Sequence, residues 1–234
     1  MKITTVLVDL DGTLLPMDQE VFVRSYLGLL AKFLAPHGYD PKALVDSIWA
    51  GTGAMVKNDG SIRNEEVFWN KFASIFGEEA RKDEPLFRTF YETVFPKVQA
   101  SCGFDPRAAE VIAAIRSKSL DVVLATNPIF PAIATSQRIH WAGLNPEDFR
   151  LYTTYENSCH CKPSLAYYQD VLDALGLQAE ECLMVGNDVG EDMVAEKLGM
   201  KVFLLTHSLI HRGLDYSGYP QGGFEDLLAY LETI

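Results

Sequence analysis

Val6–Pro16 reads VLVDLDGTLLP. A run of β-branched and apolar residues ends in two aspartates, Asp9 and Asp11, with one leucine between them and Gly-Thr behind. The apolar run begins within KITTVLVDL and lacks the alternation of a half-exposed strand. It predicts a strand buried on both faces, as in a parallel sheet. Asp-Gly is a turn signal. Yet two ionised carboxylates at the end of a buried strand repel each other and need a cation or a raised pKa. The pair is therefore the first candidate for chemistry.

The chain of 234 residues is long enough for a sizeable core, as one large domain or two unequal ones. Its 48% apolar and 22% charged residues are ordinary for a soluble globular enzyme. Twenty Lys and Arg against 32 Asp and Glu give a net charge of −12, which repels nucleic acid, and no basic stripe overcomes it. No leader pattern and no stretch of eighteen apolar residues is present, so neither secretion nor a membrane span is expected. The cysteines at 102, 159, 161 and 182 form no disulfide framework or paired CxxC. Reduced thiols in a cytoplasmic protein are the expectation.

Outward from Asp11 the character of the chain changes. EVFVRSYLGLLAKFLA, PKALVDSIWAGTGAMV, NEEVFWNKFASIFG and PLFRTFYETVFPKV all carry apolar residues at helical spacing, with no convincing strand among them. From about Ser101 helices and strands alternate. DPRAAEVIAAIRSKS is a helix with Asp105 as N-cap and Pro106 at its first position. LDVVLATN, ECLMVGND and KVFLLT are strands, and FRLYTTYE carries a short one. PAIATSQRIHWAGL, KPSLAYYQDVLDALGL, GEDMVAEKLGM and FEDLLAYLETI are helices. The alternation implies an α/β fold, a doubly wound parallel sheet with an inserted all-helical unit. The predicted boundaries are 1–16 and 97–234 for the core and 17–96 for the insert.

Ligands of open parallel sheets bind outside the carboxyl ends of the strands. The residues there are Asp9 and Asp11, then Thr126 and Asn127, then Lys162, then Asn187, Asp188 and Asp192. Carboxylates, a hydroxyl, amides and one ammonium suit a divalent cation and an anion held together. Individually, Thr126 and Asn127 also read as a helix cap, Lys162 as a solvated lysine, and Asp188 and Asp192 as first-turn acids.

Taken in order, four motifs resemble the haloacid dehalogenase superfamily in its phosphatase form. They are DLDGTL at 9–14, VVLATN at 122–127, KP at 162–163 and VGNDVGEDM at 185–193. The resemblance implies a Rossmann-like core, a helical cap between the first and second motifs, Mg²⁺ as cofactor, and hydrolysis of a small phosphorylated metabolite through an aspartyl-phosphate. It implies Asp9 as nucleophile and Asp11 as general acid and base, with the Asp11 backbone carbonyl a metal ligand. It implies Thr126 and Asn127 as phosphoryl-binding, Lys162 as the neutralising cation, and Asp9 with a fourth-motif acid as metal ligands. An acid at position 11 favours phosphoryl transfer over carbon–halogen cleavage, since a halide leaves without a proton. Relatives usually carry Gly-Asp in the fourth motif, whereas Gly186 is followed here by Asn187 and then Asp188. In one register Asp188 binds the metal directly and Asp192 binds through water or supports Lys162. In the other, Asn187 replaces a carboxylate and Asp192 carries more of the load.

In MVKNDGSIRNEEVFW, Lys57 and Arg63 flank a polar turn. They read either as a solvated inter-helix loop or as two cations reaching a second anionic group on the substrate. CHCKP at 159–163 has poor geometry for a tetrahedral metal; its thiols beside Lys162 read as oxidation-sensitive. A phosphomutase, a phosphonate hydrolase with Lys57 as its cap lysine, and a non-catalytic phosphate-binding protein remain open alternatives. A monomer or small homo-oligomer is the expected state.

Overall fold

The computed structural model describes residues 2–234. Its sheet has six parallel strands: β1 (Thr5–Val8), β2 (Asp121–Leu124), β3 (Leu151–Tyr152), β4 (Cys182–Gly186), β5 (Lys201–Leu205) and β6 (Gln221–Gly222). The spatial order is β3-β2-β1-β4-β5-β6, so the winding reverses between β1 and β4. That reversal opens a crevice at the carboxyl end of β1, which is where Asp9 and Asp11 follow.

Both sheet faces are covered, which is why the strands are continuously apolar. Val6, Val8, Val122, Leu124, Leu183 and Val185 face one core. Leu7, Val123, Met184 and Leu204 face the other. The first core is closed by α5 (Arg107–Ser117), α6 (Ala132–Trp141) and α8 (Phe224–Leu231). The second is closed by α7 (Leu165–Leu175), whose Ser164 side chain caps Ala166 N–H and whose chain turns at Gly176 with φ 65°.

Between β1 and β2 the chain leaves the sheet and forms α1 (Gln19–Leu34), α2 (Pro41–Val56), α3 (Asn64–Phe76) and α4 (Glu84–Thr93). Asp18 and Asp40 cap the first two, with Pro41 at the first position of α2. Phe72 packs against Tyr39, Trp69, Phe76 and Phe87 at the centre of the unit. The outgoing and returning legs are tied by an antiparallel bridge between Met17 and Cys102 and by Gly103 N–H donating to Pro16 O at 2.7 Å.

Four local expectations need correction. The Pro96 ring disfavours helix at the residue before it, so α4 stops at Thr93 and a 3₁₀ stretch, Phe95–Ser101, follows. GEDMVAEKLGM forms only a 3₁₀ turn, Met193–Leu198. There Asp188 Oδ1 accepts from Gly190 N–H (2.9 Å) and Glu191 N–H (3.1 Å), competing with α-helical bonding. Helix α5 begins at Arg107, with Pro106 rather than Asp105 at the N-cap; the Asp105 carboxylate still accepts Arg107 N–H at 3.0 Å. The short β6 was not anticipated, because it pairs through backbone alone.

Candidate active site

Asp9 N–H donates to Val185 O at 2.9 Å, which pins the residue beside the end of β4. Its two carboxylate oxygens look in different directions. Oδ1 accepts from Lys162 Nζ at 3.0 Å. Oδ2 accepts from the Thr13 hydroxyl at 3.1 Å. Lys162 also donates to Asp192 Oδ1 at 2.7 Å, so one buried ammonium bridges two buried carboxylates. Burial alone would pull the Lys162 pKa down; the charges of Asp192 and Asp9 outweigh it and hold the ammonium well above its ordinary value. Burial pushes Asp192 up to about 7, with Lys162 opposing and Asp9 adding to the rise.

Asp192 has room only because residue 186 is glycine. A Cβ there would lie 2.0 Å from Asp192 Oδ2, the oxygen that accepts Asp188 N–H at 3.0 Å. Of the two roles weighed for Asp192, supporting Lys162 is the one that these contacts form.

Asn187, not Asp188, faces the nucleophile. Asn187 Oδ1 accepts from the Thr13 hydroxyl at 3.0 Å, the same hydroxyl that serves Asp9 Oδ2. Asp188 is turned away: Arg212 Nη1 reaches its two oxygens at 2.8 and 2.6 Å. Asp188, the direct metal ligand in one of the two registers, here accepts from a guanidinium and two turn N–H groups. Gly12, at φ +83°, brings the backbone so close that a Cβ would lie 2.5 Å from Asn187 Nδ2. Gly12→Ala is expected to cost about 1–2 kcal/mol from the left-handed backbone, plus displacement of Asn187. Urea unfolding measures the loss; wild-type stability would contradict the packing described.

Asp11 is paired with Arg138, a residue that sequence reasoning missed. Arg138 is fully buried, and its guanidinium lies 4.5 Å over the Phe130 ring. The only advance signal was its place in α6, directly after the second motif and four residues beyond the buried Ala134. Asp11 Oδ1 is buried with no hydrogen-bond partner. Burial raises the Asp11 carboxyl, Arg138 pulls it down, Asp9 pushes it up, and the net is a raised pKa. Removing Arg138 takes away a lowering contribution. If Asp11 acts as an acid, Arg138→Met is expected to move the alkaline limb of the kcat–pH profile upward. It is also expected to cut kcat roughly 10²-fold through lost orientation, within the range of acid–base effects. An unmoved limb would contradict the coupling.

Thr126 is fixed by its carbonyl, which accepts from Thr153 Oγ1 at 2.6 Å and Tyr167 OH at 3.0 Å. Asn127 Nδ2 donates to Glu191 Oε2 at 3.1 Å, while Asn127 Oδ1 is buried and unpaired. Glu191, a second residue missed in the sequence, has its carboxyl raised chiefly by burial.

The structure brings neither Lys57 nor Arg63 to this cluster. Lys57 is the exposed C-cap of α2. Arg63 Nη1 donates to Asn157 O at 2.8 Å, and Asn64 N–H donates to Ser158 O at 2.9 Å. In the structure this turn tethers the insert to the loop after β3. His160 Nδ1 lies 2.7 Å from Asp170 Oδ2. The Cys161 thiol is pushed up to about 12 by burial, the opposite of the expected activation by Lys162.

Among the described residues no three His, Cys, Asp or Glu side chains are grouped as a metal site. The oxygen set of Asp9, Thr13 and Asn187 nevertheless suits a hard cation. One hydroxyl proton cannot serve Asp9 Oδ2 and Asn187 Oδ1 together, so an acceptor is left short of positive charge.

A sequence-family model for haloacid dehalogenase-like hydrolases matches residues 3–199. The chain belongs to that family of hydrolases. No curated protein matches it by sequence. A HAD phosphatase from Thermococcus onnurineus aligns over 99% of this chain and 98% of its own, at 18% identity and TM-score 0.58. A 2-haloacid dehalogenase from Pseudomonas syringae aligns over 99% of both chains, at 18% identity and TM-score 0.66. A HAD-hydrolase from Bacillus subtilis, solved bound to magnesium, aligns over 99% of both at 15% identity and TM-score 0.54. These likenesses define the fold; since both a phosphatase and a dehalogenase share it, the reaction has to be argued from the site. Among the described residues no helix is long and apolar enough to cross a membrane.

Proposed function

We propose that the protein is a Mg²⁺-dependent phosphatase that hydrolyses a small phosphorylated metabolite through an aspartyl-phosphate. The observation that carries this reading is the position of Asp11, a partly buried carboxyl two residues beyond Asp9 that burial raises against the lowering pull of its Arg138 partner. A departing halide is stable without a proton, whereas a departing ester oxygen needs one.

The Asp9 carboxylate attacks phosphorus, the ester P–O bond breaks, and the leaving oxygen takes the Asp11 proton. Asp11, now a carboxylate, takes a proton from water as that water attacks phosphorus. The bond from Asp9 to phosphorus breaks, inorganic phosphate departs, and both aspartates return to their starting states. Lys162 offsets charge on Asp9 and the phosphoryl group, and Asp192 orients it. Thr126 and Asn127 bind phosphoryl oxygens. Asp9, Asn187 Oδ1 and the Asp11 carbonyl would hold Mg²⁺, which supplies positive charge against the phosphoryl oxygens.

Phosphate release from a panel of small phosphate esters tests the reading. Release that depends on Mg²⁺ and stops with EDTA is expected, with no halide freed from 2-haloacids. Halide release without phosphate release would overturn it.

A further inference from the structure

Helix α3 starts against the core rather than in solvent. The first N–H groups of a helix have no partner within it. Arg63, at the N-cap, provides no side-chain cap; instead Asn64 N–H donates to Ser158 O and Glu65 N–H to Tyr155 O, both at 2.9 Å. The loop after β3 therefore caps a helix of the insert. Gly60 fits the same seam. It lies at φ +88°, and a Cβ there would run into the His160 ring, which Asp170 holds from α7.

At the centre of the seam is the fully buried side chain of Asn64. Its Oδ1 accepts from Asn58 Nδ2 at 2.9 Å. Asn58 is itself fixed by backbone groups, donating to Ile62 O and accepting from Gly60 N–H. The Asn64 amide is thereby held one way round, with Nδ2 toward the core. There Nδ2 has three acceptors: Pro128 O at 3.2 Å, His160 O at 3.4 Å and Cys161 Sγ at 3.4 Å. Its two hydrogens span two chain segments. Pro128 directly follows Thr126 and Asn127, while His160 and Cys161 directly precede Lys162. The direct link between these segments is longer: Asn127 Nδ2 lies 3.5 Å from Lys162 O, which makes a weak bond.

We propose that Asn64 is a positioning residue: through this amide the docked insert sets the spacing between the loop that carries Thr126 and Asn127 and the segment that carries Lys162. The proposal rests on the phosphatase reading, in which those three residues hold the phosphoryl group. It makes the insert part of the reacting centre with no contact between Asn64 and the substrate. Moving the insert off the core withdraws the amide, and both segments lose their common partner. The site is assembled only while the insert is docked.

Hydrogen exchange and steady-state kinetics of Asn64→Ala, both well below its melting temperature, test the proposal. Amides in 126–130 and 158–164 are expected to exchange at least about threefold faster than in wild type, with β4 and β5 unchanged. Phosphate release per folded molecule is expected to lose roughly 10²-fold in kcat, the scale of a small misplacement of reacting groups, with KM within about threefold. A role in stability alone lowers the melting temperature and leaves the kcat of the folded enzyme where it was. Asn64→Asp keeps the size but turns a carboxylate oxygen toward Pro128 O and His160 O, so it is expected to do no better than alanine. Gly60→Ala pushes the turn off His160 and leaves Asn64 in place; it is expected to give the same pattern more weakly, and it carries the test if neither Asn64 variant folds. Unchanged exchange in both segments overturns the proposal whatever the assay gives, and so does a kcat within about twofold of wild type. A wild type that releases no phosphate from any ester defeats the phosphatase reading instead, and exchange alone then decides whether Asn64 holds the two segments together.

Discussion

Asp9→Asn is expected to lower phosphate release by about 10⁴-fold or more, in line with removal of a nucleophile in other enzymes. The amide is nearly isosteric but cannot attack phosphorus as a carboxylate does. The fold is expected to survive, for a reason visible in the contacts. Lys162 keeps Asp192 at 2.7 Å when position 9 is neutral, so the buried ammonium is not stranded. The Thr13 hydroxyl keeps an acceptor in Asn187 Oδ1, whichever way the new amide is turned. Steady-state assay and thermal melting together decide the matter. Activity within tenfold of wild type would remove Asp9 from the chemistry, and with it the aspartyl-phosphate. Loss of activity together with loss of the fold would be uninformative about the nucleophile alone, so single-turnover trapping of labelled phosphate on wild-type Asp9 completes the test.

The strand framework was legible in the sequence because it rests on local rules, whereas the Asp9–Lys162 pairing was implied only by the family resemblance. A buried parallel strand announces itself by a continuous apolar run, and functional groups collect where such runs end. What escaped the reading depends on which distant groups meet. Arg138 looks like an ordinary surface arginine in SQRIHW; only the packing of α6 beside the Asp11 turn places it in the interior. The pairing of Asp188 with Arg212 is likewise hidden, because Arg212 arrives from a loop with no periodicity to mark it. Arg63 looks like a free cation because nothing local reveals that Asn157 lies across from it. An aromatic-walled cavity between α1–α4 and the core is also invisible in sequence. Its residues come from four helices and two loops, which no local pattern brings together.

Lys162→Met is expected to be the most damaging single substitution for stability. Methionine fills similar space but leaves Asp9 and Asp192 facing each other without the cation that bridges them. Removing one partner of a buried ion pair costs about 3–5 kcal/mol. The loss is expected to depend on pH in a definite direction. Burial and the Asp9 charge already hold Asp192 up to about 7, and Lys162 is the main influence pulling it down. Without Lys162 the Asp192 pKa rises further. Between the unfolded carboxylate value and that raised value, the native variant holds a proton that the unfolded chain has released. Its stability therefore falls as pH rises through this window and recovers as pH is lowered. Urea unfolding of the variant at pH 5 and pH 8 measures the difference. The double variant Lys162→Met/Asp192→Asn is expected to regain much of the stability and lose most of the pH dependence, because the uncompensated charge is gone. Its activity stays low, since no ammonium remains beside Asp9 to offset the phosphoryl charge. A double variant as unstable as the single one would show that Lys162 contributes through packing along its buried stem. A single variant stable at pH 8 would show that the Asp9–Asp192 repulsion is relieved in solution by another group.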